Sequence, residues 1–411
     1  MGRLPDGRVI FVPLTAPGDR VRVRIEEDRG RFARGSLDTL LGDGPTRCEP
    51  LCPVFGNCGG CAWQHIRYED QLEAKRTIVA DALTRIGGFE LKELPPIEAS
   101  PDPYHYRSRT RVLVRGGLLG YRRRRSHRLC AINACPVLAA PVEALLSRLA
   151  EAPESFTQST GEDALGRGSG AGETVEEEWE LCAGSDGLAR SWRIPDAELD
   201  KPSAVLDSPH DAGCAEGLVV IEQGEDSLQI SPGVFMQANA LLWRPLTDAV
   251  LGAATQAWST PRSKLLELFA GAGFFTLPLS RSFGQVVAVE SDERSVVDLF
   301  ANLVANQVAN VEVVHAPVEQ ALCREMDEPD CVVLDPPRAG LARDAIERLA
   351  ELRARRIVYL SCDPATLARD LRLLCEAVPS YGLTRVSAFD LFPQTPHVEA
   401  LVVLEQGIGA G

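Results

Sequence analysis

The feature that most constrains this chain is the rhythm of its apolar runs after about residue 231. Short runs rich in Val, Ile and Leu, as long as buried strands, alternate with longer runs whose apolar residues recur at helical spacing. This alternation predicts an α/β fold, with a doubly wound parallel sheet of the Rossmann-like kind. The strand-like runs lie at 264–269, 285–290, 311–315, 331–335 and 356–361, and the helix-like runs at 274–283, 292–306, 343–352 and 364–378.

Two further strand-like runs end the chain, from Arg385 to Asp390 and from Val398 to Leu404. Only a short loop joins them. Parallel neighbours need a crossover of about a dozen residues or more, so these runs predict an antiparallel hairpin at the end of the sheet.

The segments before residue 231 follow other patterns, and 411 residues are too many for one compact core. Residues 7–40 alternate polar and apolar between turns, which predicts part of a small β-barrel. We expect a helix at 67–87 and a hairpin at 105–125 with a Gly-Gly turn. Residues 151–190, rich in Gly, Ser and Glu, predict an insertion without regular structure. The predicted division is a partial barrel at 1–44, an α+β central domain at 45–230 and the α/β domain at 231–411.

The net charge of −15 argues against a nucleic-acid partner, but the charge is unevenly distributed. Residues 1–150 contain 24 basic and 17 acidic residues, whereas residues 151–230 contain 4 basic and 19 acidic ones. The segment 103–128 has nine arginines and no acid, so we expect it to bind RNA phosphates. On its first strand, Arg107, Arg109 and Arg111 alternate and therefore share one face.

No apolar run reaches the roughly 18–20 residues of a membrane span, and no apolar signal-like core opens the chain. We therefore expect a cytoplasmic protein with no membrane partner, and no obligate protein partner is evident. Twelve cysteines in such a protein predict metal or thiolate chemistry instead of disulfides.

A ligand pocket is predicted at the carboxyl ends of the strands. The first strand runs into a Gly-x-Gly turn at Gly271 and Gly273, and the second ends in Glu290, nineteen residues after Gly271, where an acid can bind a ribose diol. Thr276 replaces the third glycine of a dinucleotide-binding turn. S-adenosylmethionine, which has no phosphates, therefore fits better than NAD. Asp335, followed by two prolines, projects another carboxylate into the same crevice.

Cys362 follows the fifth strand and precedes Asp363 and Pro364, which suit the cap and first position of a helix. The partial positive charge of a helix N-terminus should lower the thiol pKa. His397 and Glu399 share one face of the last strand, and either could act as a general base. A thiolate, a base and a methyl donor suit methylation of uracil C5, because addition of the thiolate at C6 makes C5 nucleophilic.

At this point the chain resembles the bacterial RNA 5-methyluridine methyltransferases, in the branch that holds an iron–sulfur cluster. The resemblance rests on the segment from Ser231 to Asn239, the segment from Ser361 to Asp370, and the run from Phe392 to Glu399. It implies an RNA uracil-C5 methyltransferase whose favoured substrate is 23S rRNA, with tRNA as the alternative, and a TRAM-type start at 7–40. The implied roles are methyl-donor binding for Gln237, Phe269, Glu290 and Asp335, nucleophile for Cys362 and base for Glu399.

Three cysteines lie close together, at Cys52, Cys58 and Cys61. Their spacing is not that of a structural zinc site, and three thiols need a distant fourth, for which Cys130 and Cys135 are both available. The resemblance favours Cys135 and a [4Fe-4S] cluster, with zinc as the alternative.

Two other functions compete with uracil methylation. Methylation of cytosine C5 in RNA uses the same thiolate addition, but the predicted sheet offers no second motif cysteine. The other candidate is a non-catalytic RNA-binding protein in which the cluster is only a structural element.

Overall fold

The computed structural model describes residues 1–151, 176–194, 217–255, 263–324 and 328–407. The chain begins with a four-stranded sheet in the order β1-β2-β4-β3, which packs around Ile10, Val12 and Ala33. Within residues 1–42 this sheet is open and does not close into a barrel, which agrees with the predicted partial barrel. Its strands are β1 (Gly2–Arg3), β2 (Val9–Phe11), β3 (Arg20–Asp28) and β4 (Phe32–Gly42).

Helix α1 (Tyr68–Arg85) confirms the helix predicted at 67–87, and the short strand β5 (Ile97–Glu98) follows it. The cysteine-rich segment lies in the loop before α1. Both elements pack against the large sheet described below, because α1 contacts its last helix and β5 pairs with one of its strands.

The predicted Arg-rich hairpin is present and belongs to an antiparallel sheet in the order β10-β9-β6-β7-β8. One helix covers this sheet with Val142, Leu145 and Leu149. The elements are β6 (Arg109–Arg115), β7 (Leu118–Arg122), β8 (Leu129–Ala131), α2 (Ala140–Glu151), β9 (Glu176–Ala183) and β10 (Ala189–Ile194).

The prediction of an irregular insertion at 151–190 was wrong for its last part, where β9 and β10 form a hairpin. Three consecutive glutamates, Glu176 to Glu178, hide the strand because they interrupt the alternation that marks it, whereas Trp179 to Ala183 are buried. Residues 152–175 of the predicted insertion lie outside the described residues.

A two-stranded hairpin of β11 (Val219–Gln223) and β12 (Asp226–Ile230) leads to a short 3-10 helix at Ala240–Leu242 and to helix α3 (Trp243–Thr255). The eight-stranded sheet follows, in the order β15-β14-β13-β16-β17-β19-β18-β5. Its strands are β13 (Lys264–Leu268), β14 (Gln285–Glu290), β15 (Val311–His315), β16 (Cys331–Leu334), β17 (Arg356–Ser361), β18 (Tyr381–Phe389) and β19 (Glu399–Gln406), and its helices are α4 (Thr276–Ser280), α5 (Glu293–Ala305), α6 (Val318–Ala321), α7 (Arg343–Glu351) and α8 (Pro364–Ala377).

The predicted α/β architecture is confirmed. Strands β13 to β17 are parallel, and β19 pairs antiparallel with both β17 and β18, which is the predicted terminal hairpin. Apolar cores cover both faces of the sheet. One contains residues of α1, α7 and α8, and the other residues of α3 and α4. No helix within the described residues is both long enough and apolar enough to cross a membrane.

Candidate active site

The crevice of the large sheet lies where β13 has β14 on one side and β16 on the other. The chain proceeds from β13 to β14 on one side and later returns to β16 on the other, so the loops after β13 and β16 diverge. Ligands of open α/β sheets bind in such a crevice, outside the carboxyl ends of the strands.

The turn after β13 has an unusual backbone. Phe269, Gly271 and Gly273 have φ angles of 64°, 57° and 101°, all in the left-handed region. Glu290, at the end of β14, fixes this turn from beside it. Its Oε2 accepts a hydrogen bond from the Gly271 amide at 2.8 Å, and its Oε1 accepts one from the Asp292 amide at 2.8 Å. The structure thus brings Phe269 and Glu290 to the same turn.

Asp335 and Gln237 meet on the other side of the crevice. The Gln237 Nε2 donates to Asp335 Oδ2 at 3.3 Å, and the indole of Trp243 donates to the Gln237 carbonyl at 2.7 Å. Burial raises the pKa of Asp335 to about 7. All four predicted donor-binding residues therefore border the crevice.

Glu267 is a further acid at this place, and the sequence reasoning gave it no role. It is 2% exposed on β13, and its Oε2 has no hydrogen-bond partner among the described residues. Burial, reinforced by the charges of Asp335 and Glu290, raises the pKa of Glu267 to about 8. A charged residue inside the apolar run of a buried strand was the signal that could have revealed it.

Cys362 lies where β17 leads into α8. Asp363 is the N-cap of α8, with Oδ1 accepting from the amides of Ala365 and Thr366 at 3.1 and 2.9 Å, and Pro364 stands in the first turn. This local structure is as predicted. The thiol is half-buried.

The thiol pKa is not lowered as expected from the helix N-terminus alone. Burial, followed by the charges of Glu399 and Asp335, raises the pKa of Cys362 to about 11. They act against the helix terminus, whose own effect is short-ranged. A hydrogen bond and the positive charge of Arg338 act in the opposite direction. Arg338, directly after the two prolines that follow Asp335, is a second functional candidate that the sequence reasoning missed.

Glu399 is the first residue of β19 and pairs with Phe389 of β18. It is 3% exposed, and its Oε1 has no hydrogen-bond partner among the described residues. Burial and the charge of Asp335 raise its pKa well above the ordinary value, and Arg338 lowers it. Ser361 and Ala400 pair across β17 and β19, so the next residue of β17's end, Cys362, lies beside Glu399, and the predicted nucleophile and base are neighbours.

His397, the other predicted base, is half-buried beside the ring of Phe392, at a centroid distance of 6.2 Å. Burial and the charge of Arg338 lower its pKa. It therefore also borders the pocket.

The four predicted cluster cysteines, Cys52, Cys58, Cys61 and Cys135, line one cavity of about 430 Å³. Cys130, the other candidate for the fourth position, is buried and does not line it. Burial raises the pKa values of Cys58, Cys61 and Cys135 to about 11 each. The charges of neighbouring cysteines also raise each of these pKa values. Among the described residues, no three His, Cys, Asp or Glu side chains come close enough together to hold a single metal ion. The thiols thus surround a space and do not converge on a point.

The arginines of the hairpin do have counter-charges, contrary to expectation. Arg109 pairs with Glu180 of β9 at 2.6 Å, and Arg122 pairs with Glu176 at 3.1 Å. The sequence segment 103–128 contains no acid, but β9 lies beside β6 and brings its own. The exposed Arg123, Arg125 and Arg128, in the turn between β7 and β8, are the cations of this hairpin that remain suited to phosphate.

The sheet order, the glycine turn after β13 and the acids at the ends of β13, β14 and β16 define an S-adenosylmethionine-dependent methyltransferase of the α/β type. Comparison with known proteins specifies this class. Residues 216–407 match the family model described as tRNA (Uracil-5-)-methyltransferase, and residues 1–37 match the TRAM domain.

Similar proteins extend over nearly the whole chain. An uncharacterized RNA methyltransferase of Synechocystis is 34% identical over 97% of this chain and 91% of its own. A Pseudomonas entomophila protein named 23S rRNA (uracil(1939)-C(5))-methyltransferase RlmD is 33% identical over 98% of this chain and 90% of its own. The crystal structure of the Pyrococcus abyssi tRNA (uracil-54, C5)-methyltransferase in complex with S-adenosyl-L-homocysteine has a TM-score of 0.72 and 25% identity, covering 98% of both chains. The chain belongs to the RNA uracil-C5 methyltransferase family, and it is an S-adenosylmethionine-dependent enzyme whose partner is RNA.

Proposed function

We propose that this enzyme methylates C5 of a uracil in 23S rRNA, with Cys362 as nucleophile and Glu399 as base. The observation that carries the proposal is the pairing of Ser361 with Ala400, which brings Cys362 and Glu399 together at neighbouring ends of β17 and β19, where the charges of Asp335 and Arg338 act on both residues. The relative from Pseudomonas entomophila, named as a 23S rRNA methyltransferase, supports this choice of substrate. We further propose the division of the chain into parts at 1–44, 45–230 and 231–411.

The residues of the crevice suit S-adenosylmethionine. The Oε2 of Glu267 has no hydrogen-bond partner among the described residues, and burial raises the pKa of Asp335 to about 7. Methyl donors of this kind carry a positive sulfonium, and an opposite charge favours ionised carboxylates. We assign Gln237, Phe269, Glu290 and Asp335 to the binding of the donor.

The bound donor supplies an electrophilic methyl group. The Cys362 thiolate forms a bond to C6 of uracil, and the electrons of the C5–C6 double bond move to C5 and the O4 carbonyl. C5 then forms its bond to the methyl carbon as the bond between that carbon and the donor's sulfur breaks, and the sulfur keeps the electron pair and leaves as uncharged S-adenosylhomocysteine. Glu399 takes the proton from C5, the C5–C6 double bond re-forms, and the Cys362 sulfur leaves with its electron pair.

Arg338 has a defined part in this sequence. A thiol with a pKa of about 11 is scarcely ionised at neutral pH, and the guanidinium of Arg338 is the positive group that favours its thiolate. The same guanidinium favours the ionised form of Glu399, which must accept a proton later.

We also propose that Cys52, Cys58, Cys61 and Cys135 hold a [4Fe-4S] cluster. The donor set is four thiols that line one cavity, and thiolates are the ligands of iron–sulfur clusters. Hydrogen bonds to the sulfurs are typical of cluster sites, and the Gly60 amide donates to Cys58 Sγ at 3.4 Å. Such a group would join the cysteine loop to the segment before α2.

A trapping experiment tests the proposed chemistry. RNA that contains 5-fluorouridine has no proton at C5, so the covalent adduct cannot be resolved and should survive denaturing electrophoresis in the presence of the methyl donor. Cys362→Ala should form no adduct. Cys375→Ala is the matched control, because Cys375 is a half-buried thiol of the same helix α8, near its other end. An adduct that persists in Cys362→Ala would refute the assignment of the nucleophile.

The substrate requires a separate test, since the similar structure from Pyrococcus abyssi is named as a tRNA enzyme. Purified 23S rRNA and tRNA that lack the modification should be offered in parallel, and the methylated nucleosides identified by mass spectrometry. We expect 5-methyluridine in 23S rRNA. 5-Methyluridine only in tRNA would move the assignment to the alternative, and 5-methylcytidine would exclude uracil as the target.

The cluster is tested by iron and sulfide analysis after anaerobic purification. We expect about four of each per chain, which is the composition of the cluster, and loss of both in Cys135→Ser. Cys130→Ser should retain them, because Cys130 does not line the cavity. Stoichiometric zinc without iron would contradict the cluster.

A further inference from the structure

Helix α1 buries polar side chains on the face that it turns towards the protein. Gln71 and Lys75 are one turn apart and completely buried, on a helix whose other buried residues include Val79 and Leu83. Burying a polar group costs free energy unless it forms hydrogen bonds or an ion pair. The partners of these two side chains therefore show which part of the protein this face of α1 binds.

Both side chains contact the loop between β18 and β19. Lys75 forms a buried ion pair with Asp390, and its Nζ also donates to the Phe392 carbonyl at 3.0 Å. Gln71 and Gln394 bond reciprocally. The Gln71 Nε2 donates to Gln394 Oε1 at 3.0 Å, and the Gln394 amide donates to Gln71 Oε1 at 3.0 Å. Helix α1 therefore fixes both the beginning and the middle of this loop.

The cysteine loop contacts the same residue. The amides of Ala62 and Trp63, directly after Cys61, donate to the Gln394 carbonyl at 3.0 and 2.9 Å. Gln394 has a φ of 67°, which is uncommon for a residue other than glycine and needs support from its surroundings. Gln394 is thus the point where α1, the cysteine loop and the loop after β18 are joined.

This loop ends at the proposed base. Residues 390–398 separate β18 from β19, and Glu399 is the first residue of β19. Oε1 of Glu399 has no hydrogen-bond partner among the described residues, so no hydrogen bond at this oxygen fixes the carboxyl group. Its position depends on the backbone that leads to it.

We infer that Gln71 and Gln394 are a positioning pair, which holds Glu399 where it can take the C5 proton and through which the cysteine loop acts on the active site. The inference rests on the proposed function, because it needs Glu399 as the base. Neither glutamine reacts. Their effect should appear in the step that Glu399 performs and not in the earlier addition of Cys362.

The two steps can be separated with the substrates already described. Adduct formation on 5-fluorouridine RNA needs Cys362 and the methyl donor but no proton removal from C5. Turnover on uridine RNA needs Cys362, the methyl donor and also removal of the proton from C5. A misplaced base should therefore slow turnover and leave adduct formation intact, whereas a general loss of structure should impair both.

Gln71→Met keeps the length of the side chain and removes both hydrogen bonds to Gln394. We expect kcat on uridine RNA to fall at least tenfold, while KM for RNA and the rate of adduct formation stay within twofold of the unaltered enzyme. Leu83→Ala is the control for lost stability. Leu83 is fully buried in α1, and it lies about 18 Å along the helix from Gln71 at 1.5 Å per residue. At temperatures below the unfolding temperature of Leu83→Ala, the kcat of this variant should stay within twofold of that of the unaltered enzyme.

A double-variant cycle tests whether the two glutamines act together. Gln71→Met and Gln394→Met combined should lose no more activity than Gln71→Met alone, because Gln71→Met already removes both hydrogen bonds of the pair, whereas Gln394→Met removes only the one that its side chain accepts. Additive losses would overturn the inference. So would an unchanged kcat, a parallel fall of adduct formation and turnover, or an equal fall of kcat in Leu83→Ala. Absence of the adduct with the unaltered enzyme would instead overturn the proposed function, and the inference with it.

Discussion

Three buried carboxyl groups, those of Glu267, Asp335 and Glu399, surround the crevice of the large sheet. Burial is the first cause of the raised pKa at each, to about 8 for Glu267 and about 7 for Asp335. Near neutral pH these groups therefore hold protons that carboxylates in water would have lost. A cation that enters the crevice must favour their ionised forms.

Donor binding should accordingly depend on pH. A positive ligand binds the ionised carboxylates best, so affinity should fall as pH drops through the raised pKa values of about 8 and about 7. We expect S-adenosylmethionine to bind roughly tenfold more weakly at pH 6.5 than at pH 8.5, the effect of about one pKa unit. Isothermal titration calorimetry measures both the affinity and the protons released.

S-adenosylhomocysteine is the control ligand, because its sulfur carries no charge. Its affinity should vary less over the same pH range, and in Glu267→Gln the difference between the two ligands should shrink. Equal pH dependence of both ligands would show that the buried carboxyl groups do not respond to the sulfonium.

Arg338 provides a second prediction at the scale of single residues. Arg338→Met removes the charge that lowers the pKa values of Cys362 and Glu399, so both should rise. The acid limb of the kcat/KM profile should move to higher pH by about one unit, and the rate at pH 7 should fall about tenfold. The rate of Cys362 alkylation, followed by peptide mass spectrometry, reports the thiolate directly.

Two variants accompany this test. Arg338→Lys keeps a positive charge and should restore part of the rate. Arg343→Met removes an exposed arginine of α7 that pairs with Glu347, and its profile should not move. A normal profile in Arg338→Met would mean that other groups ionise the thiol.

At the scale of elements, the start of α8 combines stability with the placement of Cys362. The Asp363 side chain accepts hydrogen bonds from two amides of the first turn. Asp363→Ala should therefore lower the free energy of unfolding by about 1 kcal/mol, the usual contribution of an N-cap, measured by chemical denaturation. Asp363→Asn retains the acceptor oxygen and should lose much less. Equal losses in the two variants would indicate that charge, and not capping, is what matters.

The elements of the large sheet could be predicted because each fills one short apolar run between turns. Strands β13, β14 and β17 begin and end within one residue of the predicted limits. Strand β9 could not be recognised, because its partner β6 lies more than sixty residues earlier and supplies the positive charges that its glutamates need. Long-range pairing of this kind leaves no local pattern.

The site divides in the same way. Cys362 and Asp363 could be predicted, since a helix start has its own signature in Asp363 and Pro364. Arg338 was not, because its interaction with Cys362 depends on how the loop after β16 folds. The thiol pKa was misjudged because burial and the charge of Glu399 are properties of the assembled pocket.

At the scale of the whole molecule, the large sheet includes elements from before residue 231. Helix α1 contributes Val79 and Leu83 to one of its cores, and β5 pairs with β18. A fragment of residues 231–411 would lose both and expose the apolar surface that α1 covers. We expect this fragment to aggregate, as measured by light scattering and size-exclusion chromatography.

A fragment of residues 45–411 is the matched control. It omits only the four-stranded sheet, which has a small core of its own. It should remain monodisperse and still form the Cys362 adduct with a short RNA. Good solubility of residues 231–411 would show that the sheet is stable without α1 and β5.

The pairing of β5 with β18 also determines when the large sheet can form during translation. Ile97 and Ala388 are partners, although about 290 residues separate them in the chain. At about 5–20 residues per second, a ribosome needs roughly 15–60 s to make the second partner after the first has emerged. During that interval Lys75 of α1 lacks Asp390 and the Phe392 carbonyl, with which it pairs in the folded protein. The large sheet therefore cannot be completed until β18 and β19 have been translated.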